Sequence, residues 1–571
     1  MCESNKQIKT PPGGEVICGL GALPEQGLLT LHERLGLTMP TAALATCASY
    51  YGRVHRDPTV GELLFIDEVV RARQGALVAD MTLSQLGTRD ESIAKSLHRL
   101  LQTHTKSAGK TRPLTLRRAL SGTQSCPAVH APSATRLELM SEEALGTLGA
   151  RARRSEKSVT IEGTGLCLAL TAPERRTILN RPRRDDLITL LTHSTGADEN
   201  AGHRMQHLLR HISPRLHAAC TLRKGMMTDR LLKLCPGGLC TDLTLLQAAE
   251  RPDLPLSPHQ ARGCLVCTDE STARALRAQA EAQGLFAITF GRMTGDSHWR
   301  VVSGKHTLFS LPLPLLRALT KPQTVCVHLH EHAAPRLMPD DRLGVLVTGD
   351  PGQTCRLAAG KPLTLGDLKI LHTTLPLDDA LSPADLSSAL MRAATHLVAA
   401  GADASTLQAG IALCAQPTTS PSAMWAAVIG WQRMLRLWEL PTLPPVIRSG
   451  EQEGSVTVVV FARDVRPVVS TVVESECSMR LFVPALKNGV PDPRELKSLL
   501  RLTGKALSEG HIGALCPLWN EPPAKALSRL SGFTPYADHT TSTLLSTPTF
   551  GLLVRSDRQL SLGIGIGTVH S

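Results

Sequence analysis

Apolar residues recur at three- and four-residue spacing near the start of the chain, through Leu28, Leu31 and Leu35 and again through Leu63, Leu64 and Val69. That period predicts amphipathic helices across residues 15–90, after a polar tail at residues 1–14 with no apolar run. The periodicity then fades. Residues 95–157 are rich in Lys, Arg, Ser, Thr, Pro and Gly and poor in acids, which predicts a loose basic connector or a much reduced domain. Order returns at Val159. The apolar run Cys264–Cys267 reads as a strand, Thr268 as the cap of a helix over Asp269–Gln283, and Gly284 as the glycine that ends it. Strands at Leu285–Phe290 and Trp299–Val302 follow. Residues 320–360 hold scattered Pro, Gly and His and predict a crossing between domains. Beyond it, Ser382 with Pro383 and Asp385 signals a long helix that Gly401 closes. Ser455–Phe461 reads as a strand, and Asp492-Pro493-Arg494-Glu495 as another helix start.

One pattern occurs twice. Gly263-Cys264-Leu265-Val266-Cys267-Thr268-Asp269 and the later Ile288–Met293 are echoed by Gly551-Leu552-Leu553-Val554-Arg555-Ser556-Asp557 and Ile564–Val569. Two copies of one strand pattern predict two similar α+β domains in tandem, the second without room for the helix between its strands.

Composition narrows the picture. At 571 residues the chain is long enough for about three to five domains and needs no metal or disulfide to complete a core. Aromatic residues make up only 3%, so Leu, Val and Ala must fill the interior. A net charge of +12 favours acidic partners, yet no nucleic-acid-binding motif turns that charge into a specific site. Fifteen cysteines, with no secretory leader before them, read as reduced thiols. No run of about 18 apolar residues marks a membrane span.

The candidate chemistry is sparse. Cys235, Cys240, Cys264 and Cys267 supply four thiols in zinc-like pairs, but positions 264 and 267 of one strand point to opposite faces. His328, His330 and His332 alternate and can share a strand face, as a metal or pH-sensitive patch or as surface histidines. The runs Arg151–Arg154 and Arg181–Arg184 are solvated basic faces, or aids to nuclear import or phosphate contact. Gly163-Thr164-Gly165 after a strand is either a phosphate cradle or a plain β-turn.

Three stretches resemble the formylglycinamide ribonucleotide amidotransferase (phosphoribosylformylglycinamidine synthase) family. The first is Leu35–Leu37, Tyr50-Tyr51 and Arg56-Asp57-Pro58-Thr59 with Glu62, similar to that family's helical linker domain. The second is GLFAITFGRMTGDSHWRVVSGKHTLFSLPLPLL, Gly284 to Leu316, similar to the end of its first synthetase domain. The third spans about Gly360 to Leu515: GKPLTLGDLKIL, Ser422–Ala427, Asp464–Ser470 and Gly510-His511 fall in the order of its second synthetase domain. The resemblance implies an α+β fold: tandem aminoimidazole-ribonucleotide-synthetase-like domains preceded by a small helical linker domain. Its parts would be a disordered tail (1–14), the linker-like domain (15–90), a basic remnant of the first N-subdomain (95–157), the first C-subdomain (158–320), a second N-subdomain (321–450) and an incomplete second C-subdomain (451–571).

Measured against that family, the chemistry is degraded. No G-x-C-x-G elbow for a glutaminase is present, and Cys18 has no such context. Counting from Arg56, the family's S-E-H-x-R-H falls on Arg71–Ala76, with Arg73 at the catalytic His position; a guanidinium stays protonated and cannot act as a base. The first metal- and nucleotide-binding segment falls near Leu222-Arg223-Lys224-Gly225, where cations replace the carboxylate. In the second, Gly510-His511 remains while Ile512 and Leu515 stand in the two Asp positions, and a K-D-S segment gives way to Arg448-Ser449-Gly450. The expectation is a pseudoenzyme with no catalytic residue and no cofactor, of the kind gammaherpesviruses carry as a tegument protein. The resemblance implies action in the host cytoplasm and nucleus, with host nuclear-body or ubiquitin-pathway proteins and other virion proteins as partners, no membrane, and no specific nucleic-acid ligand. The alternative is a working synthase of purine biosynthesis using ATP, Mg²⁺ and glutamine, with the missing parts supplied by other chains.

Overall fold

The computed structural model describes residues 15–108, 114–121, 136–141, 158–161, 164, 166–171, 182–194, 201–222, 227–235, 237–242, 244–245, 263–321, 324–329, 363–365, 368–416, 419–449, 454–463, 476–487, 489–512, 514–528, 533–556 and 560–570. The fold is α+β. The chain divides into two compact units, the first from residues 1–77, 141–153 and 172–322, the second from residues 78–140, 154–171 and 323–571. The tail at residues 1–14 lies outside the described residues.

The first unit opens with the predicted helices, Glu25–Leu35, Thr41–Arg53 and Val60–Asp80. The Arg56–Glu62 stretch builds the start of the third. Thr59 Oγ1 accepts from the Glu62 amide at 3.1 Å, and Glu62 accepts from the Thr59 amide at 3.0 Å, a reciprocal capping box. Glu62 is buried and would be costly there alone; Arg56 Nη2 pairs with it at 2.9 Å and lies 5.1 Å over the Tyr51 ring. Asp57 accepts from the Gly19 amide at 2.9 Å. Each polar residue of this segment therefore has a folding role.

Seven strands follow in one sheet, in the order His306–Pro312, His298–Ser303, Leu239–Asp242, Phe286–Met293, Leu187–Thr192, Gly263–Thr268, Ala218–Leu222. Side chains alternate across it. Leu191, Cys264 and Val266 face the helices Ala201–Ile212 and Glu270–Ala282, while Ile188, Leu190, Leu265 and Cys267 join Leu63, Ile66, Val69 and Trp299 in a second core. The helix after Gly263–Thr268 starts one residue later than the sequence suggests. Thr268 ends the strand, and Asp269 is the cap, accepting from the Thr272 amide at 2.8 Å. Gly284 takes φ +66 where the helix ends.

That cap makes a pH-dependent prediction. The Ser271 hydroxyl and the Thr272 amide hold the Asp269 carboxyl at about 2, below its ordinary value. A depressed carboxyl stabilises the fold above its unfolded value, and this contribution is lost as pH falls through about 2. Asp269→Ala should cost about 0.5–1 kcal/mol near neutrality, at the low end for a cap because the group is exposed. Urea melts of the two proteins should converge below that pH; a gap that persists in strong acid would assign the loss to something other than the carboxylate.

The second unit begins where the helical region was expected to continue. Thr82–Gly87 is instead a strand, parallel to Thr324–His328. The difference is tertiary, since a lone strand carries no sequence signature without its partner 242 residues away. Glu91–Ala108 is an 18-residue helix and Leu116–Leu120 a short one, where the basic composition suggested loose chain. Basic residues line the exposed face, while Ile93 and Leu100 enter the core.

A five-stranded sheet runs Leu363–Leu365, Leu368–Pro376, Ser455–Arg463, Gln408–Ala415, Val446–Ser449. One face carries the helices Pro383–Ala399 and Pro421–Trp438. Ser382 and Asp385 form the predicted cap as a full capping box. The two helices cross at Gly430, where a Cβ would lie 2.4 Å from the Pro383 carbonyl oxygen. The opposite face packs Ile370, Val459 and Phe461 on Leu137, Leu166 and Leu168 of a three-stranded sheet, Arg136–Ser141, Leu166–Thr171, Ser158–Ile161. A second five-stranded sheet runs Ala514–Glu521, Thr549–Ser556, Glu476–Phe482, Ile564–His570, Phe533–Pro535, and the helix Pro493–Ser508, which Asp492 caps, contributes Leu496 and Leu500 to the same core as Leu515 and Leu552.

The sequence repeat is a repeat of topology. In the first unit Leu187–Thr192 pairs antiparallel with both Gly263–Thr268 and Phe286–Met293; in the second, Glu476–Phe482 does so with Thr549–Ser556 and Ile564–His570. Ala218–Leu222 and Ala514–Glu521 occupy matching edges. Even the glycines match: Gly263 has φ +133 and Gly551 φ +131, each against the carbonyl of the neighbouring strand. The helix Glu270–Ala282 has no counterpart among the described residues between Ser556 and Ile564, as the spacing predicts.

Candidate functional site

The clearest concentration of buried charge lies in the first unit around the helix Met227–Leu234. Asp229 on that helix is fully buried. Lys233, one turn on, donates to its Oδ2 at 2.8 Å, and Arg73 from the Val60–Asp80 helix places Nε 3.9 Å from its Oδ1. Thr228 Oγ1, Asp229 Oδ1, Arg73 Nε and Arg230 Nε are buried without hydrogen-bond partners. Among the described residues, Arg73 and Lys233 both face this carboxylate. A carboxylate already held by cations is a poor ligand for a divalent metal. Arg73 is thus placed as an ion-pair partner. Arg223, Lys224 and Gly225 lie outside the described residues.

Nearby, His217 Nδ1 lies 2.8 Å from Asp186 Oδ1, and Asp186 also accepts from the Arg183 amide at 2.7 Å. Sequence reasoning missed both Asp229 and this His–Asp pair. Asp229-x3-Lys233 was readable as a same-face helix pair, but Asp186–His217 joins residues from separate elements and leaves no local pattern.

Gly510-His511 sits in the second unit just past the helix Pro493–Ser508. Gly510 takes φ +71, His511 donates its amide to the Ala506 carbonyl at 2.9 Å, and its ring lies 3.4 Å from Glu509. This geometry ends a helix. Ile512 and Leu515, in the two Asp positions of the resemblance, are buried in the main core of the unit.

The four cysteines are divided. Cys264 faces one side of the first sheet, whereas Cys267 and Cys235 meet on the other. The hydrogen bond to Cys267, together with burial, pushes the Cys235 thiol up; burial also raises Cys240, and Cys220 to about 12. Zinc needs thiolates converging on one point, and among the described residues no three His, Cys, Asp or Glu do so. Gly163 and Gly165 lie outside the described residues, but Thr164 between them is placed. Its hydroxyl donates to the Ile161 carbonyl at 2.7 Å, closing a hairpin between two antiparallel strands. A phosphate cradle of the usual kind opens onto a helix N-terminus, and here a strand follows. Among the histidine trio, His328 ends a strand with its ring against Gly87, and His330 and His332 lie outside the described residues, as do residues 151–154 and 181.

No protein-family model matches the chain, and no curated protein matches it. Solved structures do. The chain is similar to Thermotoga maritima PurL complexed with FGAR, at 11% identity over 91% of this chain and 99% of that one, with a TM-score of 0.49. It is similar to PurLQS from Thermotoga maritima at 12% identity, covering 95% and 99%, with a TM-score of 0.47. A smaller likeness is to thiamine monophosphate kinase from Aquifex aeolicus, at 13% identity over 38% of this chain and 90% of that chain, with a TM-score of 0.25. Each likeness is one of fold. Among the described residues no helix is long and apolar enough to cross a membrane.

Proposed function

We propose that the chain is a non-catalytic protein on a synthetase-like scaffold, with no cofactor of its own. The observation that carries this reading is the cluster around Asp229. Where the sequence resemblance places a catalytic histidine, Arg73 neighbours a buried carboxylate already bonded to Lys233. The burial of Ile512 and Leu515 at the two expected metal-ligand positions supports it, because apolar core residues cannot be exchanged for hydrated carboxylates without opening the core. The biological role rests on the resemblance to the tegument branch: delivery with the virion, action in host cytoplasm and nucleus, and binding of nuclear-body or ubiquitin-pathway proteins.

Calorimetric titration of the whole protein with Mg-ATP, alone and with formylglycinamide ribotide, tests the reading. The expected result is no saturable heat at ligand concentrations up to about 1 mM, a free-energy ceiling near −4 kcal/mol. Micromolar, Mg²⁺-dependent binding would overturn it and favour an ATP-using synthase.

A further inference from the structure

The helix Ala201–Ile212 of the first unit has the sequence AGHRMQHLLRHI. Its apolar residues fix how it is turned. Ala201, Met205, Leu208 and Ile212 recur at helical spacing, and all four are buried in one core with Leu191, Cys264 and Val266 of the sheet. At about 100° per residue, His207 and His211 come round to the opposite side of the helix. Both are exposed.

Residues four apart on a helix stand one above the other, with Cβ atoms about 5–6 Å apart. His207 and His211 therefore form a vertical pair, and His203 occupies the same row one turn earlier. The buried face holds this spacing. The helix is anchored to the sheet along its length, and past its end Leu216 returns to the same core. A neutral imidazole offers a lone pair on one ring nitrogen. With metal–nitrogen bonds of about 2.0–2.1 Å, one ion reaches both rings across a single turn. Histidine pairs at this spacing hold zinc on the helices of metalloproteases for that reason.

We propose that His207 and His211 chelate one divalent transition-metal ion of the copper, nickel or zinc class at the surface of the first unit. Imidazole suits these ions, whereas magnesium and calcium take oxygen ligands. The residues between the two histidines are Leu208, Leu209 and Arg210, with no glutamate to serve as a general base, so the site binds and does not hydrolyse. His203 and His207 repeat the spacing, but sharing His207 limits the row to one chelated ion. The ion is a surface ligand and not a cofactor, so the non-catalytic reading stands whether or not it binds.

The test is calorimetric titration of the full chain with Ni²⁺ in excess Mg²⁺. Nickel is the probe because copper would oxidise the exposed thiols of Cys18 and Cys326. Saturable binding of Ni²⁺ is expected. His207→Ala leaves two histidines separated by two turns, and the double variant H203A/H211A leaves one alone. Each should lose one equivalent of Ni²⁺ or weaken it at least about tenfold, because the second ligand acts through effective concentration. Thermal unfolding without metal should be unchanged in His207→Ala, since that side chain is exposed. The proposal is overturned by absence of Ni²⁺ binding to the wild type, by unchanged stoichiometry and affinity in His207→Ala, or by wild-type binding in H203A/H211A.

Discussion

Gly551→Ala should destabilise the second unit by about 3–5 kcal/mol, a large share of the roughly 5–15 kcal/mol available to a typical domain. Two independent costs add. The backbone at Gly551 has φ +131, a region closed to residues with a Cβ, and the added carbon would lie 2.0 Å from the Phe482 carbonyl oxygen. Relief requires parting the Thr549–Ser556 and Glu476–Phe482 strands at the centre of their sheet. Gly263→Ala should behave alike in the first unit, where the Cβ would lie 2.1 Å from the Leu191 oxygen. Gly489→Ala separates the two costs: φ is +76 but nothing lies within 4 Å, so only about 1–2 kcal/mol is expected. Thermal unfolding of the three variants would decide. If Gly551→Ala melts with Gly489→Ala, the close strand approach is wrong.

Trp299→Ala should cost the first unit about 3–5 kcal/mol. The indole is almost completely buried between the sheet and the N-terminal helices, edge-on to Phe65 at 4.9 Å. Its Nε1 donates to the buried Thr241 hydroxyl at 3.0 Å. Trp299→Phe keeps most of the volume and removes the donor, so about 1–2 kcal/mol is expected. Double replacement with Thr241→Val should recover part of that loss, because no hydroxyl is then left unpaired in the core. Denaturant unfolding of this cycle would show coupling; strict additivity would mean that the hydrogen bond contributes nothing.

The repeat was legible in the sequence because strand-forming residues and a conformationally demanding glycine recur together at Gly263 and Gly551. Both signals are local. The caps at Ser382 and Asp492 were legible for the same reason, since a helix start is specified within four residues. The one-residue error at Thr268 arose because Thr and Asp are both good caps, and only the pairing of Thr268 with Leu187 assigns it to the strand. Thr82–Gly87 was hidden because its partner strand lies far along the chain, and the Glu91–Ala108 helix was hidden by its basic composition. Basic residues there describe the solvent face and say nothing of the buried one.

The candidate site divides along the same line. The resemblance alone sets Arg73 at the position of a catalytic histidine, and nothing local in the sequence says what it meets. Its actual partner, Asp229, lies 156 residues along the chain, and only packing of the Val60–Asp80 helix beside Met227–Leu234 brings the charges together. The sequence by itself determined the α+β class, the tandem repeat and the helix caps, because periodicity and capping act within a few residues. Tertiary structure alone decided strand partners and which buried charges meet, because those depend on the closure of long loops around cores that no local pattern encodes.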